Sequence, residues 1–220
     1  MLEVLKTEAQ WLNKRRTVVT ATEAASLLGL NRYKSPAQVG RDKDGPSTFF
    51  GNSYTEVGQV LEPVVIEVTN KVLGTDYKLL ESDKGKPFYT HDRIALGATP
   101  DAINASGFLE CKTTKPLNFK KFSYCPPSYY VMQLIVQLYC AGMKQGHLAI
   151  MSTDLSPLNQ TVNWPIVIFE VDCNERICEL LDQEVARFWT LKTENKLIRV
   201  QSKVKTEARV LLPLCYRRIH

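Results

Sequence analysis

The 220-residue sequence is short of the residues that build metal and disulfide scaffolds. It has three histidines (His91, His147, His220) and six cysteines (Cys111, Cys125, Cys140, Cys173, Cys178, Cys215), and no Cys-x-x-Cys. That spacing excludes the usual structural zinc sites. Most of the cysteines lie in apolar runs, where a thiol packs as a small hydrophobe. The opening Met1-Leu-Glu-Val-Leu-Lys lacks a charged stretch followed by an apolar one, so a secretory leader is not expected. Free thiols in a reducing, cytoplasmic setting are the expectation. No apolar run reaches the roughly 18 residues of a membrane span, so no membrane partner is expected. Long linkers and internal repeats are missing too, which predicts one domain over residues 1–220.

One further absence is more informative. Between residues 111 and 153 there is no acidic side chain, while Lys112, Lys115, Lys120, Lys121 and Lys144 are present. The preceding stretch, 44–110, has ten acidic and five basic residues, and the last stretch, 187–220, has nine basic and two acidic. A formal net charge of +5 therefore conceals blocks of opposite sign. A nucleic acid partner and simple solvated faces are both compatible with such blocks. A hydrophobic content of 44% is ample for a core and excludes whole-chain disorder.

The pattern predicts an amphipathic helix over 3–15, with Val4, Leu5, Trp11 and Leu12 on one side. A second helix follows a capping box of Thr20 and Glu23 and stops near Gly29. A third starts at Ser35-Pro36. Residues 53–73 are helical in pattern, with Pro63 expected to kink or divide the helix. Short β-rich segments follow at 76–81, 87–90, 94–98 and 107–113, then an apolar helix over 127–142. Strands over 146–152 and 165–171 and a helix over 174–195 complete the chain. This predicts an α/β (α+β) fold, with a central mixed sheet flanked by helices. Residues 1–50 form a helical N-terminal part, 51–172 the core, and 173–220 a helix and basic tail.

Chemistry concentrates in Gly97-Ala-Thr-Pro-Asp-Ala-Ile-Asn-Ala-Ser-Gly-Phe-Leu-Glu-Cys-Lys-Thr. Asp101 ends one strand, residues 104–107 supply a turn, and Glu110 and Lys112 share one face of the returning strand. A hairpin would bring Asp101 beside Glu110. Two carboxylates and a lysine at one point suit metal-assisted phosphodiester hydrolysis. Mg2+ takes hard oxygen donors and few carboxylates, and a lysine can orient water and offset developing charge. The backbone oxygen of Cys111 is a further candidate ligand. Glu62 lies at the proline of the 53–73 helix. Gly58, one turn earlier on the same face, suggests close approach of another backbone.

Gly58-x-x-x-Glu62-Pro63, Thr99-Pro100-Asp101 through Glu110-Cys-Lys112, and Tyr130-Val-Met-Gln133 together resemble the phage lambda exonuclease and YqaJ-type recombinase nucleases of the PD-(D/E)xK superfamily. The opening Trp11-Leu-Asn-Lys-Arg15-Arg-Thr-Val-Val-Thr20-Ala-Thr22 resembles that family's first segment. The likeness runs from about residue 11 to residue 140.

The resemblance implies a restriction-endonuclease-like core and a Mg2+-dependent, processive 5′→3′ exonuclease acting on double-stranded DNA ends. Such an enzyme leaves a 3′ single-stranded tail for a single-strand annealing protein. It further implies two Mg2+ ions, replaceable by Mn2+, a ring-shaped homotrimer, and a phage or prophage origin in a bacterial host. Asp101, Glu110 and the Cys111 carbonyl would hold metal, Glu62 would complete the second metal site, and Lys112 would position water. Arg15, Thr22, Thr99 and Gln133 match the residues that bind the 5′-terminal phosphate. Trp11 matches an aromatic near the entering duplex end, and Lys115, Lys120 and Lys121 are candidate DNA contacts. Two departures stand out: Ile135 where the family often has a second glutamine, which leaves Gln137 as its candidate substitute, and Thr55 where it can carry an apolar wedge. A restriction-like or repair endonuclease on the same core, or a DNA-binding module without catalysis, are the alternatives.

Overall fold

The computed structural model describes residues 1–45, 53–80, 85–153 and 165–220, and the side chains of 53–55 fall outside the description. In chain order the elements are β1 (Leu2–Leu5), α1 (Glu8–Arg16), β2 (Val19–Thr20), α2 (Ala21–Leu27), α3 (Pro36–Asp44) and α4 (Ser53–Leu73). Next come β3 (Lys78–Leu79), β4 (Lys86–Thr90), β5 (Leu96–Ala98), β6 (Ala102–Ile103), β7 (Phe108–Thr114), α5 (Pro116–Phe122) and α6 (Ser128–Ala141). The chain continues with β8 (Gln145–Ser152), β9 (Ile166–Asp172), α7 (Glu175–Thr193), α8 (Ser202–Leu211), a 3-10 turn at Leu212–Cys215 and β10 (Tyr216–Arg218).

Two sheets form where the sequence suggested one meander. The larger has the order β10-β9-β8-β7-β6-β3 and the smaller β1-β4-β5-β2. The larger sheet is mixed: β7 and β8 run parallel, with Glu110 beside Leu148 and Lys112 beside Ile150, while β8–β9 and β6–β7 are antiparallel. Its strands carry apolar side chains on both faces. Phe108, Leu148, Ile150, Val167 and Phe169 pack with α6, and Leu109, Ala149, Met151, Ile166 and Ile168 pack with Val65 and Ile66 of α4. Helix, sheet and helix therefore make three layers.

The apolar helix α6 ends where expected. Gly142 takes a left-handed φ of 69°, and the Met143 N–H reaches back to the Leu138 carbonyl. The β6–β7 turn depends on Gly107, since a Cβ there would stand 2.0 Å from the Gln145 carbonyl oxygen. The Asn104 side chain closes that turn by accepting from the Ser106 and Gly107 N–H groups.

Several expectations give way. Residues 2–5 form an edge strand against β4, not the first turn of a helix. Their exposure alternates with period two, and Thr7 caps α1 by accepting from the Gln10 N–H at 3.2 Å. Val4 and Leu12 are exposed, so no buried apolar side forms. Of the kink or division expected at Pro63, the division is absent: α4 runs from Ser53 to Leu73, with Pro63 and Gln59 on its exposed side. Among the described residues no backbone comes close to Gly58 either: a Cβ there would meet only Thr113 Oγ1 at 3.7 Å, an ordinary contact. The short helix α5, the helix α8 and the terminal strand β10 are additions to the sequence reading.

Candidate active site

The β6–β7 hairpin brings Asp101 against the returning strand. Asp101 Oδ2 accepts from the Cys111 N–H at 2.8 Å. β6 pairs only as far as Ala102 opposite Leu109, so the edge of β7 beyond it faces Asp101. In an extended strand the N–H and C=O of one residue point to the same edge, so the Cys111 carbonyl is directed to the Asp101 side as well. The Cys111 thiol packs against the α4 layer, and burial pushes it well above its ordinary value.

Glu110 is fully buried on the other face. Lys112 Nζ donates to its Oε1 and Gln137 Nε2 from α6 donates to its Oε2. Burial works against the Lys112 charge, but Glu110 and Asp101 outweigh it and hold Lys112 above its ordinary value, fully protonated. Lys112 also lies 5.4 Å from the centroid of the Tyr130 ring. Burial, then the charge of Glu110, push the Asp101 carboxyl well above the usual carboxylate range. Lys112 pulls it back and Glu62 pushes it further. Glu62, half-buried on α4, thus acts on the same spot. Asp101 and Glu110 are thus two buried carboxyl groups of like charge at one spot, which a divalent cation would offset.

Among the described residues no group of three or more His, Cys, Asp and Glu side chains is arranged to enclose a metal. Two carboxylates with a backbone carbonyl nevertheless fit Mg2+, which binds through one or two carboxylates and keeps several waters.

Of the four predicted phosphate-binding residues, Arg15, Thr22 and Thr99 form a second cluster with Trp11 that touches the first. Arg15 stacks over the Trp11 ring at 4.4 Å and its guanidinium lies 3.5 Å from Thr22 Oγ1. Trp11 Nε1 donates to Thr99 Oγ1 at 3.0 Å. The Thr99 carbonyl in turn lies 3.5 Å from Gln137 Nε2. Arg15, Trp11, Thr99, Gln137, Glu110 and Lys112 are therefore linked contact by contact.

Behind Arg15 lies a buried ion pair. Lys43 Nζ bonds Glu23 Oε2 at 2.5 Å and the Arg15 carbonyl at 2.8 Å, tying α3 to α1 and α2. Glu23 also accepts from the Thr20 N–H and hydroxyl, and Lys34 joins it at 3.4 Å. Burial lowers the Arg15 pKa and Glu23 counters it, so Arg15 remains a cation. Trp11, Arg15, Lys34, Asp42 and Lys43 are among the residues around a cleft of about 150 Å3. A larger cleft of about 470 Å3, between α7 and α8, shares no residue with this region.

Other predicted residues lie less centrally. Gln133 is half-buried one turn before Gln137, and it is Gln137 that bonds Glu110. Lys115, Lys120 and Lys121 are exposed on or beside α5, which follows β7 directly. The Thr55 side chain lies outside the described residues. The basic tail is not frayed: β10 pairs with β9, Arg217 pairs with Glu170, and Arg218 Nη1 donates to the Ser123 carbonyl at 3.2 Å. Sequence reasoning missed Lys43, although its position four residues after buried Val39 placed it on the inner face of α3.

The sequence model of the YqaJ-like viral recombinase domain matches residues 10–144. The chain is 25% identical over 187 residues to the uncharacterized protein YqaJ of Bacillus subtilis, covering 83% of this chain and 56% of that one. It spans just over half the length of that curated relative. Among solved structures it is similar to an alkaline exonuclease of Laribacter hongkongensis. The TM-score is 0.63 and the identity 17%, over 94% of this chain and all of the other. It is also similar to a phage-related exonuclease of Haemophilus somnus, with a TM-score of 0.61 and 13% identity over 80% and 94% of the two chains. The mixed α/β fold is the one those exonucleases have.

Proposed function

The chain belongs to the YqaJ-like viral recombinase family, and from that premise we propose that it is a Mg2+-dependent 5′→3′ exonuclease on linear double-stranded DNA. The observation that carries the reading is the unbroken contact path from Arg15 through Trp11, Thr99 and Gln137 to Glu110. A terminal phosphate held at Arg15 sets the neighbouring phosphodiester beside the carboxylates. That arrangement favours end-dependent cleavage over internal cutting.

Asp101, Glu110 and the Cys111 carbonyl are the residues that would hold the metal, with Glu62 completing a second position. The chemistry a bound divalent ion would supply there is activation of water and stabilisation of charge on the phosphoryl oxygens. Lys112, protonated beside Glu110, orients the attacking water and offsets negative charge as the bond breaks. Arg15 offers a planar donor fork to the terminal phosphate, with Thr22, Thr99 and Gln133 as further polar partners. Trp11 presents its ring at the duplex end, and Lys115, Lys120 and Lys121 contact the phosphate path. Mn2+ serves in place of Mg2+. The product is a mononucleotide and a 3′ tail for a single-strand annealing protein, made by a homotrimer in the cytoplasm of a bacterial host.

Comparison of 5′-phosphorylated with 5′-hydroxyl duplex tests the reading. Faster digestion of the phosphorylated end is expected, and Arg15→Ala should remove the difference. Equal rates in the wild type would take Arg15 out of the site.

A further inference from the structure

We infer that Gln137 is a positioning residue that holds Glu110 in its working place and joins the terminal-phosphate cluster to the carboxylate cluster. The inference rests on the nuclease reading above and deepens it. Glu110 is buried, and its carboxylate is clamped on both oxygens, by Lys112 on Oε1 and by Gln137 on Oε2. The two clamps differ in kind. Lys112 is a partly exposed cation on β7 itself, two residues from Glu110. Gln137 sits on the buried face of helix α6, between Val136 and Leu138, both completely buried. The α6 amide is the clamp that comes from a different element.

The amide is also only half satisfied. Gln137 is fully buried, Nε2 is bonded to Glu110, and Oε1 has no hydrogen-bond partner among the described residues. A buried amide oxygen without a donor costs roughly 1–3 kcal/mol, so such an atom marks a place built for one. Exchanging the amide's nitrogen and oxygen would not help, because it would set an acceptor against the Glu110 carboxylate. Oε1 belongs to the same planar group as Nε2 and lies in the same enclosure. Through its second contact, to the Thr99 carbonyl, the same side chain senses the segment whose hydroxyl accepts from Trp11.

The test uses Gln137→Met, which keeps length and apolar packing and removes donor and acceptor. Gln137→Glu keeps the shape and replaces the donor with an acceptor. Three readouts are taken: the crystal position of Glu110, binding of Mn2+ without DNA by calorimetry, and digestion of linear duplex across a Mg2+ titration. Both variants should displace the Glu110 side chain. Both should weaken Mn2+ binding on the order of 10- to 100-fold, as for other residues that orient a ligand, and raise the Mg2+ needed for half-maximal rate by a similar factor. If Glu110 stays in place and Mn2+ affinity and Mg2+ demand match the wild type, Gln137 has no positioning role. If the wild type itself neither binds Mn2+ nor digests duplex, the nuclease reading fails as well, a result distinct from loss in the variants alone.

Discussion

At the scale of single residues the account turns on Lys112. It bonds buried Glu110 directly, and its charge acts on Asp101 as well. Lys112→Ala should cut hydrolysis by roughly 10^2- to 10^4-fold while duplex-end binding persists; digestion at the wild-type rate would show that the site is elsewhere. Glu23 makes a different prediction, of stability and pH. Burial raises its pKa, but Lys43, the Thr20 N–H and Lys34 outweigh burial and hold it below its ordinary value of 4.5. A carboxylate depressed on folding stabilises the fold fully above its unfolded pKa and stops doing so as pH falls through the lower folded value. Acid unfolding below about pH 4.5 should therefore lose one titrating group in Glu23→Gln. At neutral pH that variant leaves Lys43 buried without its counter-charge and should cost about 3–5 kcal/mol, measured by denaturant unfolding. A midpoint equal to the wild type would mean that the pair carries no weight.

At the scale of elements the β6–β7 hairpin does most of the positioning. Its turn tolerates no side chain at residue 107, because a Cβ would enter the Gln145 carbonyl of the neighbouring strand. Gly107→Ala should lower the melting temperature sharply and loosen Asp101 from the Cys111 N–H. Gly58→Ala should behave in the opposite way. The space beside it is ordinary, and alanine in a helix is favoured over glycine by roughly 0.5–1 kcal/mol; a large loss of stability would mean a backbone does approach there. The hairpin was legible in the sequence because everything it needs lies within a dozen residues: the Pro-Asp end, the Asn–Gly turn and the alternation of Glu110 with Lys112. Contacts that join distant segments were not. Gln137 meets Thr99 across 38 residues and Lys43 meets Glu23 across 20, and no local pattern encodes either pairing. β1 was lost for the same reason, since a four-residue edge strand takes its identity from a partner more than eighty residues away.

At the scale of the whole molecule, charge organises the reading. The acidic stretch 44–110 contains Glu62, Asp101 and Glu110, and the acid-free stretch that follows begins next to them with Lys112 and continues into the exposed lysines of α5. Metal would cancel part of the first stretch's repulsion toward DNA, so DNA affinity should rise with divalent cation. Each phosphate neutralised should add about 0.9 to the slope of log affinity against log salt. Lys120→Ala with Lys121→Ala should reduce that slope by about 1 to 2 if α5 lies along the DNA, and an unchanged slope would remove it from the path. The C-terminal basic stretch contributes less than its composition suggested, because Arg217 is paired with Glu170 and Arg218 is tied to backbone carbonyls.

Digestion of a linear duplex labelled differently at its two ends of one strand, with Mg2+ present, tests the central claim most directly. The account predicts early release of the 5′ label as a mononucleotide, with the 3′ label retained in a long strand, and no cutting of covalently closed circles. Release of the 3′ label first, or linearisation of closed circles, would contradict it.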